Sequence, residues 1–206
     1  MNNSIPDGYT RVTEPLKAFS NYESIPPDIL KNAADRGTRT HKFCELYVKN
    51  IFFIPDEDCK NYFNCFERWY LENVQEVIFM EKRFNHDELL LTGCIDMVAI
   101  LKNEEKPCLI DIKTTSQPHK NWALQTAAYQ MLLKHVDQID INKRIAVRLP
   151  KKGDKAKTID YLNYENDIRL YLNCLELYRY ITPTKSIKKT IPDENIFIQN
   201  DFLLDL

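Results

Sequence analysis

Long apolar runs are missing from this chain of 206 residues: nothing approaches the ~20 consecutive apolar residues that a membrane-spanning helix needs. The opening Met1-Asn2-Asn3-Ser4-Ile5-Pro6 lacks the basic and apolar regions of a secretory signal, so a cytoplasmic location without a membrane partner is expected. Closely paired cysteines are missing as well. Cys44, Cys59, Cys65, Cys94, Cys108 and Cys174 form no CxxC, which argues against a zinc ribbon and an iron–sulfur cluster. Their mostly apolar neighbours read as settings for buried free thiols. There are no repeats and no low-complexity segments. Basic excess is lacking too, with 28 Lys and Arg against 30 Asp and Glu and a net charge of −2. That balance does not advertise nucleic-acid binding, yet a whole-chain sum hides local patches and counts any metal-binding carboxylates.

What is present fits one domain with a real core: 44% hydrophobic, 28% charged and 11% aromatic residues. Residues 1–27, with Gly8 and four prolines from Pro6 to Pro27, read as an irregular arm. Residues 28–182 read as the domain and 183–206 as a tail of mixed charge, proline and apolar residues. A helix is expected from Asp28 to about Asn50, interrupted near Gly37. Pro55-Asp56-Glu57-Asp58 looks like the capped start of a second helix, with Tyr62, Phe66 and Trp69 as its apolar stripe. The period then changes. Val77–Met80, Leu89–Leu101 and Cys108–Lys113 read as strands, Asn121–Val136 as a helix, Arg144–Val147 and Thr158–Leu162 as strands, and Asn166–Tyr180 as a last helix. The order α-α-βββ-α-β-β-α implies an α/β fold, a central mixed β-sheet flanked by helices.

An acid-x-Lys triplet occurs three times. Asp58-Cys59-Lys60 falls in a helix start and Glu104-Glu105-Lys106 in a turn, where solvated charges suffice. Asp111-Ile112-Lys113 ends an apolar strand whose two-residue period puts Asp111 and Lys113 on one face and Ile112 on the other. Charges there are costly unless paired or bound to metal. Fourteen residues separate Asp96 from Asp111, the length of a hairpin that can bring the two carboxylates together. Two adjacent carboxylates suit a hard divalent cation, and Gly93 just before them permits close backbone approach or a bulge. His41 and Glu45, spaced i,i+4, share a helix face. Trp122, Gln125, Tyr129, Leu132 and Val136 form a core-facing stripe with polar Gln125 and Tyr129 inside it, either a tolerated amphipathic pair or groups that reach a phosphate.

Thr92-Gly93-Cys94-Ile95-Asp96, Leu109-Ile110-Asp111-Ile112-Lys113-Thr114-Thr115 and Gln125-Thr126-Ala127-Ala128-Tyr129 together resemble the RecB-type branch of the PD-(D/E)XK nuclease superfamily. Arg36-Gly37-Thr38-Arg39-Thr40-His41 with Glu45 resembles that branch's upstream helix. Tyr9-Thr10-Arg11-Val12-Thr13 resembles the arm of its small phage-type exonucleases. The resemblance spans about Tyr9 to Tyr180. It implies a restriction-endonuclease-like core, with His41, Asp96, Asp111 and the Ile112 carbonyl as ligands of Mg²⁺ or Mn²⁺. It further implies Lys113 beside the attacking water, Gln125 and Tyr129 as orienting groups, and Glu45 and Glu81 as accessory acids. Asp111 stands where Glu is common, and the terminal cysteines of the iron–sulfur members are absent.

The expectation is a metal-dependent DNA exonuclease of recombination, repair or phage DNA processing, with a structure- or sequence-specific endonuclease and a silent DNA-binding module as alternatives. DNA phosphates would meet Arg36, Arg39, Lys120, Lys151, Lys152 and Lys155, with Lys185, Lys188 and Lys189 in the tail as further cations. Lys120 and Trp122, which closely follow the Asp111 strand, would be the residues to touch the substrate. A single-strand annealing or other recombination protein, and a homo-oligomer, are the partners the resemblance leaves open. The apolar-acidic end around Phe197 and Phe202 would bind such a partner or pack on its own domain.

Overall fold

A computed structural model describes residues 5–20 and 25–182 of the protein. In chain order the elements are β1 (Thr10–Arg11), α1 (Pro27–Val48), α2 (Glu57–Asn73), β2 (Val74–His86), β3 (Leu91–Leu101), β4 (Cys108–Lys113), α3 (Asn121–Val136), β5 (Lys143–Arg148), β6 (Lys157–Tyr161) and α4 (Tyr164–Ile181). One mixed sheet takes the order β1-β3-β4-β5-β6, with β2 antiparallel to β3. Helices cover both faces. Met97, Ala99, Ile110, Ile112, Ile145 and Val147 pack with α1 and α2, while Ile95, Val98 and Leu109 pack with α3 and α4. No helix among the described residues is long and apolar enough to cross a membrane. The tail cations and the Phe197–Phe202 segment lie outside the described residues.

Local chemistry accounts for most boundaries. Asp56 caps α2 by accepting the Cys59 amide at 3.0 Å, Glu57 and Asp58 sit in its positively polarised first turn, and Tyr62, Phe66 and Trp69 are all buried. The apolar run of β4 fits its central place between antiparallel β3 and parallel β5. All six cysteines are free, and four of them are buried.

One expected boundary does not exist: α1 runs unbroken through Gly37. A glycine inside a helix costs about 1 kcal/mol relative to alanine, and packing explains why it is tolerated. A Cβ at Gly37 would lie 3.3 Å from Thr114 Oγ1, so the missing side chain lets α1 lean against the loop that leaves β4. Strand β2 is also much longer than the expected Val77–Met80, because β3 supplies a partner along its whole length.

Beneath α3 and α4 lies a cation that the pattern of β5 does not reveal. Arg144, only 2% exposed, pairs with Asp167 Oδ2 at 2.8 Å and donates to the Ala123 carbonyl at 3.0 Å and Thr126 Oγ1 at 3.3 Å. It ties β5 to both helices. Removing one partner of a buried pair strands the other charge. Asp167→Asn should therefore destabilise the fold by about 3–5 kcal/mol in urea unfolding with an unchanged m-value; a loss below about 1 kcal/mol would put the pair on a par with exposed ones.

Candidate active site

The β3–β4 ladder runs through Ala99–Cys108 and Val98–Leu109 and stops at Met97–Ile110. The next facing pair in that register is Asp96 and Asp111. There the strands part, and the Ile112 amide donates to Asp96 Oδ2 at 2.7 Å instead of to a backbone carbonyl of β3. The same edge of β3 meets β1 only at Leu91 and Thr92. Residues 93–96 thus lie in a fork between β1 and β4.

On the other edge of β3, Glu81 faces Asp96 between the Met80–Met97 and Lys82–Ile95 pairs. Glu81 has φ 50°, in the left-handed region, a conformation costing on the order of 1–3 kcal/mol in a non-glycine residue. The pleat loses its phase here. Met97 packs toward α1 and α2, but Ile95, two residues earlier, packs toward α3 and α4; Met80 and Phe84 divide in the same way. The irregularity sets both carboxylates against one histidine of α1.

That histidine is His41, one turn after Gly37. Its Nδ1 lies 3.2 Å from Glu81 Oε1 and 3.4 Å from Asp96 Oδ1, and its Nε2 lies 3.0 Å from the Ile112 carbonyl oxygen. Acceptors at both nitrogens favour the imidazolium. Burial opposes that charge, but Asp96 and Glu81 outweigh it and hold His41 well above the ordinary range. Burial likewise pushes Asp96 upward, and the charge and hydrogen bond of His41, with Lys113 and the Ile112 amide, bring it below the usual carboxylate value.

Asp111 points to the opposite face, toward α3. Its Oδ2 lies 2.7 Å from Lys113 Nζ, and its Oδ1 accepts from Gln125 Nε2 at 3.3 Å. Gln125 also accepts from Lys113 Nζ at 3.1 Å and donates to the Tyr129 hydroxyl at 3.0 Å. Burial, reinforced by Asp96, pushes Asp111 up to about 6 against the pull of Lys113. Tyr129 is raised by burial and by the same two carboxylates. Gly93 makes room for this network. A Cβ there would lie 2.7 Å from Tyr129 Cε1 and 3.0 Å from Leu132 Cδ1, so α3 can approach β3 this closely only at a glycine.

The donor set fits a hard divalent cation. One donor atom each from His41, Glu81 and Asp96 lies within 4.8 Å of the others, and these are an imidazole and two carboxylates. Asp111 Oδ2 is buried and, although ion-paired with Lys113, receives no aligned hydrogen bond, so it keeps a lone pair to offer. The structure draws Glu81 into this group more closely than its accessory standing in the sequence suggested.

Other residues singled out in the sequence lie differently. Glu45 turns away from His41 to Lys42 and Lys49, at 2.8 and 2.6 Å. Arg39 is paired with Asp56 at 2.6 Å, and Lys155 lies 3.5 Å from Glu72. Trp122 is only 5% exposed, with Lys113 Nζ 5.8 Å from its ring centre, so it supports the lysine and has little surface to offer DNA. Arg36 lies over the Tyr62 ring. Lys120, Lys151 and Lys152 are exposed.

Sequence reasoning missed the neighbouring recess of about 680 Å³, walled by Ile5, Arg11–Thr13, Thr38, Arg83, Thr92–Cys94 and Tyr129. Arg83 donates to Thr92 Oγ1 at 3.3 Å, and its buried Nε has no partner. The signal available was Arg83 two residues after Glu81 on a strand, but the change of phase at Glu81 defeats a period-2 reading.

Two outcomes test this geometry. Protons compete with a cation for Asp111 up to about pH 6 and for His41 above that, so affinity must rise with pH. The Mg²⁺ or Mn²⁺ concentration giving half-maximal thermal stabilisation should fall between pH 5.5 and 8.5, by at most about tenfold per unit for each proton released. His41→Ala should weaken binding and remove the slope above pH 7; a midpoint that ignores pH would refute the donor set. Gly93→Ala should cost about 1–3 kcal/mol by overpacking and lower turnover, as Tyr129 is forced off Gln125.

No curated protein matches the chain. Among solved structures it is similar to SSO0001, with a TM-score of 0.47 and 14% identity over 86% of this chain and 80% of that one. It is also similar to an alkaline exonuclease from Laribacter hongkongensis, with a TM-score of 0.38 and 12% identity over 84% of this chain and 91% of that one. The family profile described as the PD-(D/E)XK nuclease superfamily matches residues 59–173, which take in Asp96, Asp111, Lys113, Gln125 and Tyr129 and leave α1 outside. The match covers more than half of the sequence, and the chain belongs to the PD-(D/E)XK nuclease superfamily.

Proposed function

We propose that the protein is a DNA exonuclease dependent on Mg²⁺ or Mn²⁺, serving recombination, repair or phage DNA processing. The observation that carries the exonuclease reading is the recess beside the fork. It is bounded by the N-terminal arm, from Ile5 to Thr13, and has Arg11 and Arg83 in its wall. A wall at that place favours a strand that ends there over one that continues past, and arginines suit a phosphate at the end.

His41, Asp96, Asp111 and the Ile112 carbonyl would hold the cation, with Glu81 against the Nδ1 edge of His41. A bound divalent cation supplies positive charge to the phosphoryl oxygen and acidifies an attacking water. Lys113 adds a second positive charge beside that water. Gln125, bonded to Lys113, Asp111 and Tyr129, fixes the lysine and holds the tyrosine hydroxyl facing the fork. Trp122 beneath Lys113 keeps its head from falling back into solvent. Exposed Lys120, Lys151 and Lys152 are the candidates for holding duplex phosphates further out.

Linear and closed-circular DNA, each with Mg²⁺, Mn²⁺ or EDTA, test the reading. Linear DNA should be degraded from its ends, closed circles spared, and activity abolished by EDTA. Lys113→Ala should lower turnover by at least about 100-fold, the scale of losing a charged group at the reacting centre. Arg83→Ala should raise KM for linear DNA more than it lowers kcat. Cutting of closed circles would establish an endonuclease instead, and no metal-dependent cleavage would leave a DNA-binding module.

A further inference from the structure

The hairpin between β2 and β3 carries a second group of metal-ligating side chains. His86, the last residue of β2, is 6% exposed. Its ring lies flat on that of His135, from the last turn of α3, with centres 3.6 Å apart and planes within 9°. Glu88, in the turn after His86, adds a carboxylate, so that one donor atom from each of the three lies within 4.8 Å of the other two.

Two imidazolium rings in such contact would repel, so the stack requires at least one neutral ring. Burial and the charge of His135 lower His86, against the opposing pull of Glu88 and Asp87. The Nδ1 lone pair of His86 accepts only a long bond, 3.3 Å from the Leu89 amide, and therefore faces the turn that carries Glu88. Asp87 is already committed to the Tyr9 hydroxyl at 2.6 Å.

We propose that His86, Glu88 and His135 form a binding site for a borderline transition-metal cation such as Zn²⁺, separate from the carboxylate fork. Two imidazoles and one carboxylate favour Zn²⁺ over Mg²⁺, which prefers all-oxygen surroundings. Donor atoms around tetrahedral zinc stand roughly 3.3 Å apart, as bonds of about 2.0–2.1 Å require. Parallel stacked rings hold their in-plane lone pairs side by side, so ligation by both requires the exposed His135 ring to turn out of the stack and the exposed Glu88 to close on the same ion. The cation would also sit at the negatively polarised end of α3. There it would fasten the hairpin tip to the helix, next to the Lys82–Asp137 pair at 2.7 Å. The tip leads directly into Leu91 and Thr92, which hold β1, and into the wall of the recess.

The test is calorimetric titration of the full chain with ZnCl₂ in excess Mg²⁺, which keeps the oxygen-rich site occupied. Wild type should take up one equivalent of Zn²⁺ and gain thermal stability. His135→Ala should lose both effects and Glu88→Gln should weaken them, while cleavage of linear DNA in Mg²⁺ alone stays unchanged in His135→Ala. The proposal is overturned if wild type takes up no zinc in excess Mg²⁺, or if His135→Ala still takes up the equivalent. Zinc uptake lost in Asp96→Asn but kept in His135→Ala would place the ion at the fork and equally overturn it. Because the readout is zinc uptake, it stands apart from whether the enzyme proves to be an exonuclease.

Discussion

Where two strands part, Glu81 and Asp96 meet on the α1 side and Asp111 lies on the α3 side, and carboxylates so near one another and so far from solvent need cations beside them. The fold answers with two of its own. His41 lies between Glu81, Asp96 and the Ile112 carbonyl, and Lys113 lies against Asp111. The consequences for charge run in opposite directions. His41 holds Asp96 low, while burial and the neighbouring Asp96 leave Asp111 near 6 even beside its lysine. The fork is therefore under-neutralised on the α3 side, where a buried carboxylate oxygen has no aligned donor. A divalent cation, as proposed, would complete what the side chains leave unfinished.

Bringing those groups together constrains the backbone at three points. Gly37 allows α1 to lie close enough to Thr114 for His41 to reach Ile112. Gly93 allows α3 to press Tyr129 onto β3. Glu81 accepts a left-handed conformation in the middle of a strand. Each is unfavourable locally, by helix propensity, lost side-chain packing or backbone strain. They are held within a core in which Arg144 ties β5 to α3 and α4.

The element order from α1 onward and the Asp96–Asp111–Lys113 grouping were legible because they follow rules that a sequence carries: a polar turn between apolar strands, period 2 along β4, and 3-4 spacing along α3. The two-residue β1, expected to be irregular arm, was not legible. Gly37 was read as a helix interruption because propensity alone cannot show what lies 3.3 Å from an absent Cβ. Glu45 looked like a partner of His41 by spacing, but Lys42 and Lys49 on the same helix satisfy it at shorter reach. Arg83 went unnoticed, and Arg11 was read only as part of the arm, for a different reason. They line one recess only through the parallel pairing of β1 with β3, a contact across about 80 residues that no local period records.

The same distinction governs where DNA can be held. Nearness in sequence to the carboxylate strand made Trp122 look like a substrate contact, yet it is buried under Lys113, and Arg39 is spent on Asp56. A basic residue already neutralised within its own chain has less to gain from a phosphate, because the new contact must first break the old one. Arg83 is in the contrary position. Its buried Nε is unpaired, and it stands in the wall of the recess beside Glu81 and Asp96. A phosphate there would satisfy a guanidinium that is otherwise incompletely bonded. On the exonuclease proposal, then, the end of a strand would be recognised by what the core leaves unsatisfied rather than by what the surface displays.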